Sequence, residues 1–507
     1  MNQKPVVGTY TDKTEIENIF KDNISYHSKM FDEKVGEFSA DPLFEDWRLL
    51  NRCVDEFINV PFELSGSADP YLNLEFKMLT AKGKEDFKKV GQLLENDFGP
   101  EVASRFNNLA LMCMASHFGY QSQNLWQAVG YGLGLSSVSQ SINYLQSRRL
   151  VFGCMLNLIP IKAIGQKKAP FLDLMNQFLY TIDSCLNGYT NAYYHLLINE
   201  CITGYEVTFD GNLFKANFTY DNLEAFFLEP ERLSLLDQME LRPDVVLLAK
   251  TIPRPKNVIF SFNEVANAMA LFEGAFKKYS VTGLLEYQEL NLLFVHISRF
   301  CTDNYHVIVD ESDLDGIQLQ LKKLKLTPLG NSFTDLINDY APFQKFQGKY
   351  YCTVVLLCRF VYRTLTGALM RNKSFMINSG FVFEDKVEKI LINAGYHSTG
   401  ITRINHKEFD LITTKNGKIY NFQCKNNHID IAKVGTDYKL MGRLNKRLIT
   451  YYRKSITKEV NRENLIKTKL GLSGIEHFVI SRFPVITQDA DILNFNSLES
   501  WLGKQNH

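Results

Sequence analysis

The chain has 507 residues and a mass of 58.3 kDa, too long for one ordinary domain, so two or three are expected. Hydrophobic residues make up 45% and charged residues 22%, which excludes a mostly disordered or fibrous protein. Fifty-six basic residues balance 56 acidic ones, and a net charge of zero argues against a polyanion partner only if the charges are evenly spread.

The opening segment, MNQKPVVGTYTDKTEIENIF, has no apolar stretch after its lysine, so no secretory leader is expected. Apolar residues then recur at three and four spacing through LFEDWRLLNRCVDEFI, FLDLMNQFLYTIDSCL and FNEVANAMALFEGAF, which predicts a mainly α-helical region over residues 1–370. VGYGLGLSSVSQSINYLQSRRLV (129–151), within 110–160, reads either as a helix-turn-helix presenting Ser139, Gln140 and Asn143 or as an ordinary helix pair. YEVTFDGNLFKANFTY (205–220) predicts a hairpin about Asp210-Gly211, and TIPRPKN (251–257) a connection. IQLQLKKLKLTPLGNSF (317–333), within 290–335, has the same two readings, here as a helix running into the strand of a winged unit or as plain packed helices.

His296, Cys301 and His306 match no standard zinc spacing and are read as buried or surface residues. The apolar stretch from Tyr350 to Met370 carries Arg359 and Arg363, which favours a buried helix or strand over a membrane span. Nine scattered cysteines without a C-x-x-C pair fit reduced thiols. A soluble, cytoplasmic protein with no membrane partner is expected.

A boundary falls near residues 371–380, and the charge is uneven across it. Residues 376–507 hold 20 Lys and Arg against 13 Asp and Glu, so the rest carries the matching acidic excess. Ten basic and two acidic residues lie within 439–469 alone. GFVFEDKVEKILINAGY (380–396) predicts an amphipathic helix with Phe383, Val387, Ile390, Leu391 and Ala394 inward, Glu384 and Glu388 beside that stripe, and Gly395 at its end. EFDLITT and KIYNFQCK then read as two strands joined by Asn416-Gly417, a strong hairpin signal. A two-residue turn there places Asp410 opposite Gln423 and Glu408 opposite Lys425, with all four on one face. One more carboxylate from the helix completes an oxygen-rich pocket suited to Mg²⁺.

Helix glutamate, strand aspartate, turn, Gln423-Cys424-Lys425 and a following basic helix resemble the core of the restriction-endonuclease-like PD-(D/E)XK nuclease superfamily, in its Mrr-type Q-x-K form. Phe409 stands where the eponymous proline would precede Asp410, a departure shared by many members. The resemblance covers residues 371–507 and implies an α/β domain with a mixed central sheet flanked by helices. It implies Asp410 as central metal ligand, Gln423 at the acidic position, Lys425 as catalytic lysine, Glu384 as the first-helix carboxylate, and the Cys424 carbonyl as a further ligand. Glu388 and Glu408 are the weaker alternatives.

The implied cofactor is Mg²⁺, with Mn²⁺ as substitute. The implied activity is endonucleolytic hydrolysis of phosphodiester bonds, of DNA in preference to RNA, in restriction or anti-phage defence. Lys439, Arg443, Lys446, Arg447, Arg453 and Lys454, with Tyr438, Tyr451 and Tyr452 among them, fit backbone tracking with stacking. A homodimer or a defence-system protein is the implied partner. Gln423 in place of an acid keeps a non-catalytic nucleic-acid-binding or assembly protein as the alternative, and an RNA-specific nuclease as a third.

Overall fold

The apolar stripes of the first half become helices that bury those stripes against one another. The computed structural model describes residues 5–61, 68–122, 134–219, 252–336, 339–427, 434 and 436–505. Strand β1 (Gly8–Tyr10) leads into α1 (Lys13–Gly36), α2 (Ala40–Ile58), α3 (Ala81–Phe98), α4 (Pro100–Ser122), α5 (Val138–Ser147), α6 (Arg149–Lys162) and α7 (Ser184–Cys201). Asp12 starts α1 by accepting from the Thr14 and Glu15 amides, which would otherwise lack partners at the helix end. In α2, Leu43, Phe44, Trp47, Leu50, Val54 and Phe57 form the buried stripe, with Trp47 against the rings of Phe152 and Phe178. The expected hairpin forms as β2 (Val207–Phe209) and β3 (Phe214–Ala216), with β1 added at its edge, while Tyr220 lies outside the described residues.

A second core is built by α8 (Asn263–Lys278), α9 (Leu285–Ile297), β4 (His306–Asp310), β5 (Gln344–Phe346), β6 (Lys349–Thr353) and α10 (Val354–Leu369). The strands form an antiparallel sheet of order β4-β6-β5. The apolar stretch from Tyr350 is thus a strand followed by a packed helix. Among the described residues no helix is long and apolar enough to cross a membrane.

Of the two helix-turn-helix candidates, the first places Ser139, Gln140 and Asn143 on the exposed side of α5. In the first, the Gln140 side chain accepts from Ser136 while the Ser137 hydroxyl accepts from the Gln140 amide, so Gln140 is used as a cap. Arg148 is fully buried and paired with Asp183, and the chain passes directly into α6. Residues 129–133, the glycine-rich turn, lie outside the described residues. In the second, the helix ends at Gln318 and residues 319–332 contain no strand, which the winged reading would require.

The C-terminal part comprises α11 (Lys373–Asn393), β7 (His397–Ser398), β8 (Arg403–Ile404), β9 (Lys407–Glu408), β10 (Leu411–Lys415), β11 (Lys418–Lys425), α12 (Tyr438–Val460), α13 (Glu463–Leu470), β12 (Ile475–Ser481), β13 (Ile492–Asn494) and α14 (Leu498–Gln505). α11 begins seven residues before Gly380, because Asn372 accepts from the Phe375 amide and caps it there. The five-stranded sheet has the order β13-β12-β11-β10-β7 and is mixed: β11, β12 and β13 run parallel, while β10 is antiparallel to both neighbours. Phe422, Cys424, Phe478 and Ile480 cover α11 and α14 on one face. On the other, Val479 packs with Tyr452 of α12, and Ile412 and Ile419 pack with Ile466 of α13. α12 also packs along α7, and Val434, Met441, Phe483 and Ile486 are part of the N-terminal core.

Candidate active site

The site is built on the β10–β11 hairpin. Asn416 and Gly417 both adopt the left-handed conformation, with φ of 51° and 74°, as a two-residue turn matching strand twist requires. Lys415 pairs with Lys418 and Leu411 with Phe422, so the register continued by one step sets Asp410 across from Gln423. Asp410 stands just beyond the end of β10, where its carboxylate accepts from the Cys424 amide at 2.8 Å and lies 3.6 Å from Lys425 Nζ. Lys425 Nζ also donates to Gln423 Oε1 at 3.1 Å. Asp410, Gln423 and Lys425 therefore meet.

Glu408 does not meet them. The chain forms a second small hairpin, β8–β9, in which Glu408 pairs across from Arg403 and forms an ion pair with it. The extrapolated pairing of Glu408 with Lys425 fails because β10 begins only at Leu411 and Glu408 pairs within the β8–β9 hairpin instead. Glu388 bonds the Ser398 hydroxyl, tying α11 to β7. Glu384, one turn earlier, faces the pocket electrostatically. Burial, followed by the nearby charge of Asp410, pushes its carboxyl from 4.5 up to about 7, and Lys425 only partly opposes this. Asp410 is also raised, first by burial and further by the charge of Glu459, against the pull of Lys425 and the Cys424 amide. Both carboxyls are thus raised chiefly by burial, the environment in which an ionised pair is costly without a partner of opposite charge.

Gln423 is buried, and its Nε2 has no hydrogen-bond partner among the described residues. Cys424 directs its thiol into the apolar face, where burial raises it well above the usual range. Its amide points to Asp410, whereas the next carbonyl, of Lys425, accepts from the Arg482 amide on the opposite strand edge. Alternation then puts the Cys424 carbonyl on the Asp410 side, where β10 has ended. Among the described residues no group of three or more His, Cys, Asp or Glu side chains is placed to hold a metal ion. The donors available are instead two carboxylates, an amide oxygen and a main-chain carbonyl, which suit a hard cation such as Mg²⁺. The Gln423 oxygen becomes free for one only when Lys425 releases it.

The basic helix α12 divides its residues between packing and solvent. Arg443, Lys446, Arg447 and Lys454 are exposed along its outer side. Lys439 differs from expectation, since it and the Tyr438 hydroxyl both engage Glu17 of α1 and so dock the helix. Arg453 is paired with Asp489. Tyr452 is fully buried and bonded to Ser481, which leaves Tyr451 as the one tyrosine of the three able to stack on a ligand. His406 forms the β8–β9 turn with Asn405, His397 is exposed on β7, and His428 lies outside the described residues.

Sequence reading missed a polar network behind the pocket. Asn421 donates to Glu459 and to His477, while Arg462 grips Glu459 with two nitrogens. Asn421 is legible in hindsight as a polar residue in an otherwise apolar strand. Glu459 and Arg462 carry no signal in a stretch already rich in charge. No family model, curated protein or solved structure matches the chain significantly.

Proposed function

We propose that residues 371–507 form a restriction-endonuclease-like, Mrr-type endonuclease domain that hydrolyses phosphodiester bonds with Mg²⁺, or Mn²⁺ in its place. The observation that carries this reading is the meeting of Asp410, Gln423 and Lys425 at the end of one hairpin, with the Glu384 carboxyl raised by burial and then by the charge of Asp410. Asp410 and Glu384 would hold the ion, with the Cys424 carbonyl and, once Lys425 releases it, Gln423. Bound there, the ion would stabilise charge on the phosphate and acidify an attacking water. Lys425 would orient that water through its ammonium. Arg443, Lys446, Arg447 and Lys454 would hold the backbone of the nucleic acid, DNA in preference to RNA. A cytoplasmic role in restriction or defence, as a homodimer or with a partner protein, follows from the family resemblance.

One observation favours a second reading, a nucleic-acid-binding or assembly protein without activity. Among the described residues the pocket brings together two acids, and the amide oxygen at the third position already accepts from Lys425. The deciding experiment is plasmid nicking and RNA degradation by the full chain with Mg²⁺. Asp410→Ala and Lys425→Ala should each lower cleavage by about a hundredfold or more. Cleavage that survives both changes rejects this site, and an inactive wild type favours the second reading.

A further inference from the structure

We infer that Arg462, acting with Glu459, is a positioning residue that holds Asp410 in place from the end of the basic helix. The consequence for cleavage rests on the nuclease reading, while the placement itself does not. Asp410 lies in a gap between two ladders, because β9 ends at Glu408, one backbone bond beyond it holds Phe409, and β10 begins only at Leu411. Arg462 closes that gap from outside. Its Nη2 donates to the Glu408 carbonyl at 2.7 Å, and its guanidinium carbon lies 4.2 Å over the Phe409 ring. Phe409 is pressed into a small apolar cluster, and its amide donates to the Thr402 carbonyl.

The same guanidinium is held by Glu459, which is 1% exposed and sits in the last turn of α12. The Glu459 carboxylate also accepts from Asn421 at 3.0 Å, on β11 two residues before Gln423. One buried ion pair therefore braces both walls of the pocket, the 408–410 segment through Arg462 and β11 through Asn421. A planar fork satisfies the carboxylate, the carbonyl and the ring together, which the single ammonium of a lysine cannot do.

The test uses the full chain as wild type, Arg462→Lys, and the double variant Arg462→Ala with Glu459→Gln, which avoids a buried unpaired carboxylate. Amide hydrogen exchange should quicken by about tenfold or more at residues 408–411 in the double variant, and less in Arg462→Lys. Exchange across α11 and β12 should not change. With Mg²⁺ and plasmid DNA, kcat should fall by about ten- to a hundredfold while KM for DNA stays constant. Unchanged exchange at 408–411, or a rise spread evenly over the whole sheet, overturns the inference. A raised KM with kcat intact also overturns it, since that assigns Arg462 to binding. If wild type fails to cleave while exchange responds locally, the nuclease reading falls and the positioning role stands.

Discussion

At the scale of single residues, Glu384 sets stability against function. Its carboxyl is raised from 4.5 to about 7, so the folded chain holds that proton more tightly than the unfolded chain. Folded stability should therefore decline as pH rises from 4.5 to about 7, and level off above. Glu384→Gln should remove that slope without metal and raise the melting temperature at pH 8 by about 1–3 °C, read by thermal denaturation across pH. The same change should reduce Mg²⁺-dependent cleavage by about a hundredfold. In the wild type, apparent Mg²⁺ affinity should strengthen with pH up to about 7 and then flatten, because a protonated Glu384 cannot bind the ion. Titrating Mg²⁺ at constant ionic strength checks this. Asp410 and Gln423 were legible in the sequence because two-residue turn geometry turns residue numbers into neighbours. Glu408 was misplaced because the same arithmetic ran past the end of a strand that nothing local marks.

At the scale of elements, the hairpin and α12 carry separate predictions. Gly417 sits at φ 74°, where a Cβ is strained, although no other atom crowds it. Gly417→Ala should cost about 1 kcal/mol through backbone strain, lowering the melting temperature while altering cleavage less than tenfold. For α12, replacing Arg447 and Lys454 by Ala should weaken binding to DNA of any sequence and reduce the salt slope by about 1 for each lost phosphate contact. Lys439→Ala, by contrast, should leave that slope alone, since its charge is engaged with Glu17. Helix and strand periods revealed most of these elements. Composition could not show that one helix's charges serve two purposes, because which side faces solvent is decided by α1 and α7, more than two hundred residues earlier.

At the scale of the whole molecule, the division at residue 371 separates charge more cleanly than it separates cores. Met441, Phe483 and Ile486 are buried with the N-terminal helices, and the Glu200 side chain fills the space beside Gly442. A fragment of residues 371–507 would expose these side chains. It should aggregate or bind a hydrophobic dye, as read by light scattering and fluorescence; a monodisperse fragment melting like the full chain contradicts this. The acidic excess of the rest of the chain meets α12 through local contacts, with Glu17 and Glu200 set against its first turns.

α12 thus has two packed sides, one against the sheet and one against α7, and a third, basic side exposed. Its last turn also grips the segment that carries Asp410. Thermodynamic reciprocity then sets a rule for any molecule that binds the N-terminal helices and shifts this seat. If it changes the affinity of the outer stripe for nucleic acid by some factor, nucleic acid must change its affinity by the same factor. Such coupling would need no contact between the N-terminal helices and the nucleic acid itself.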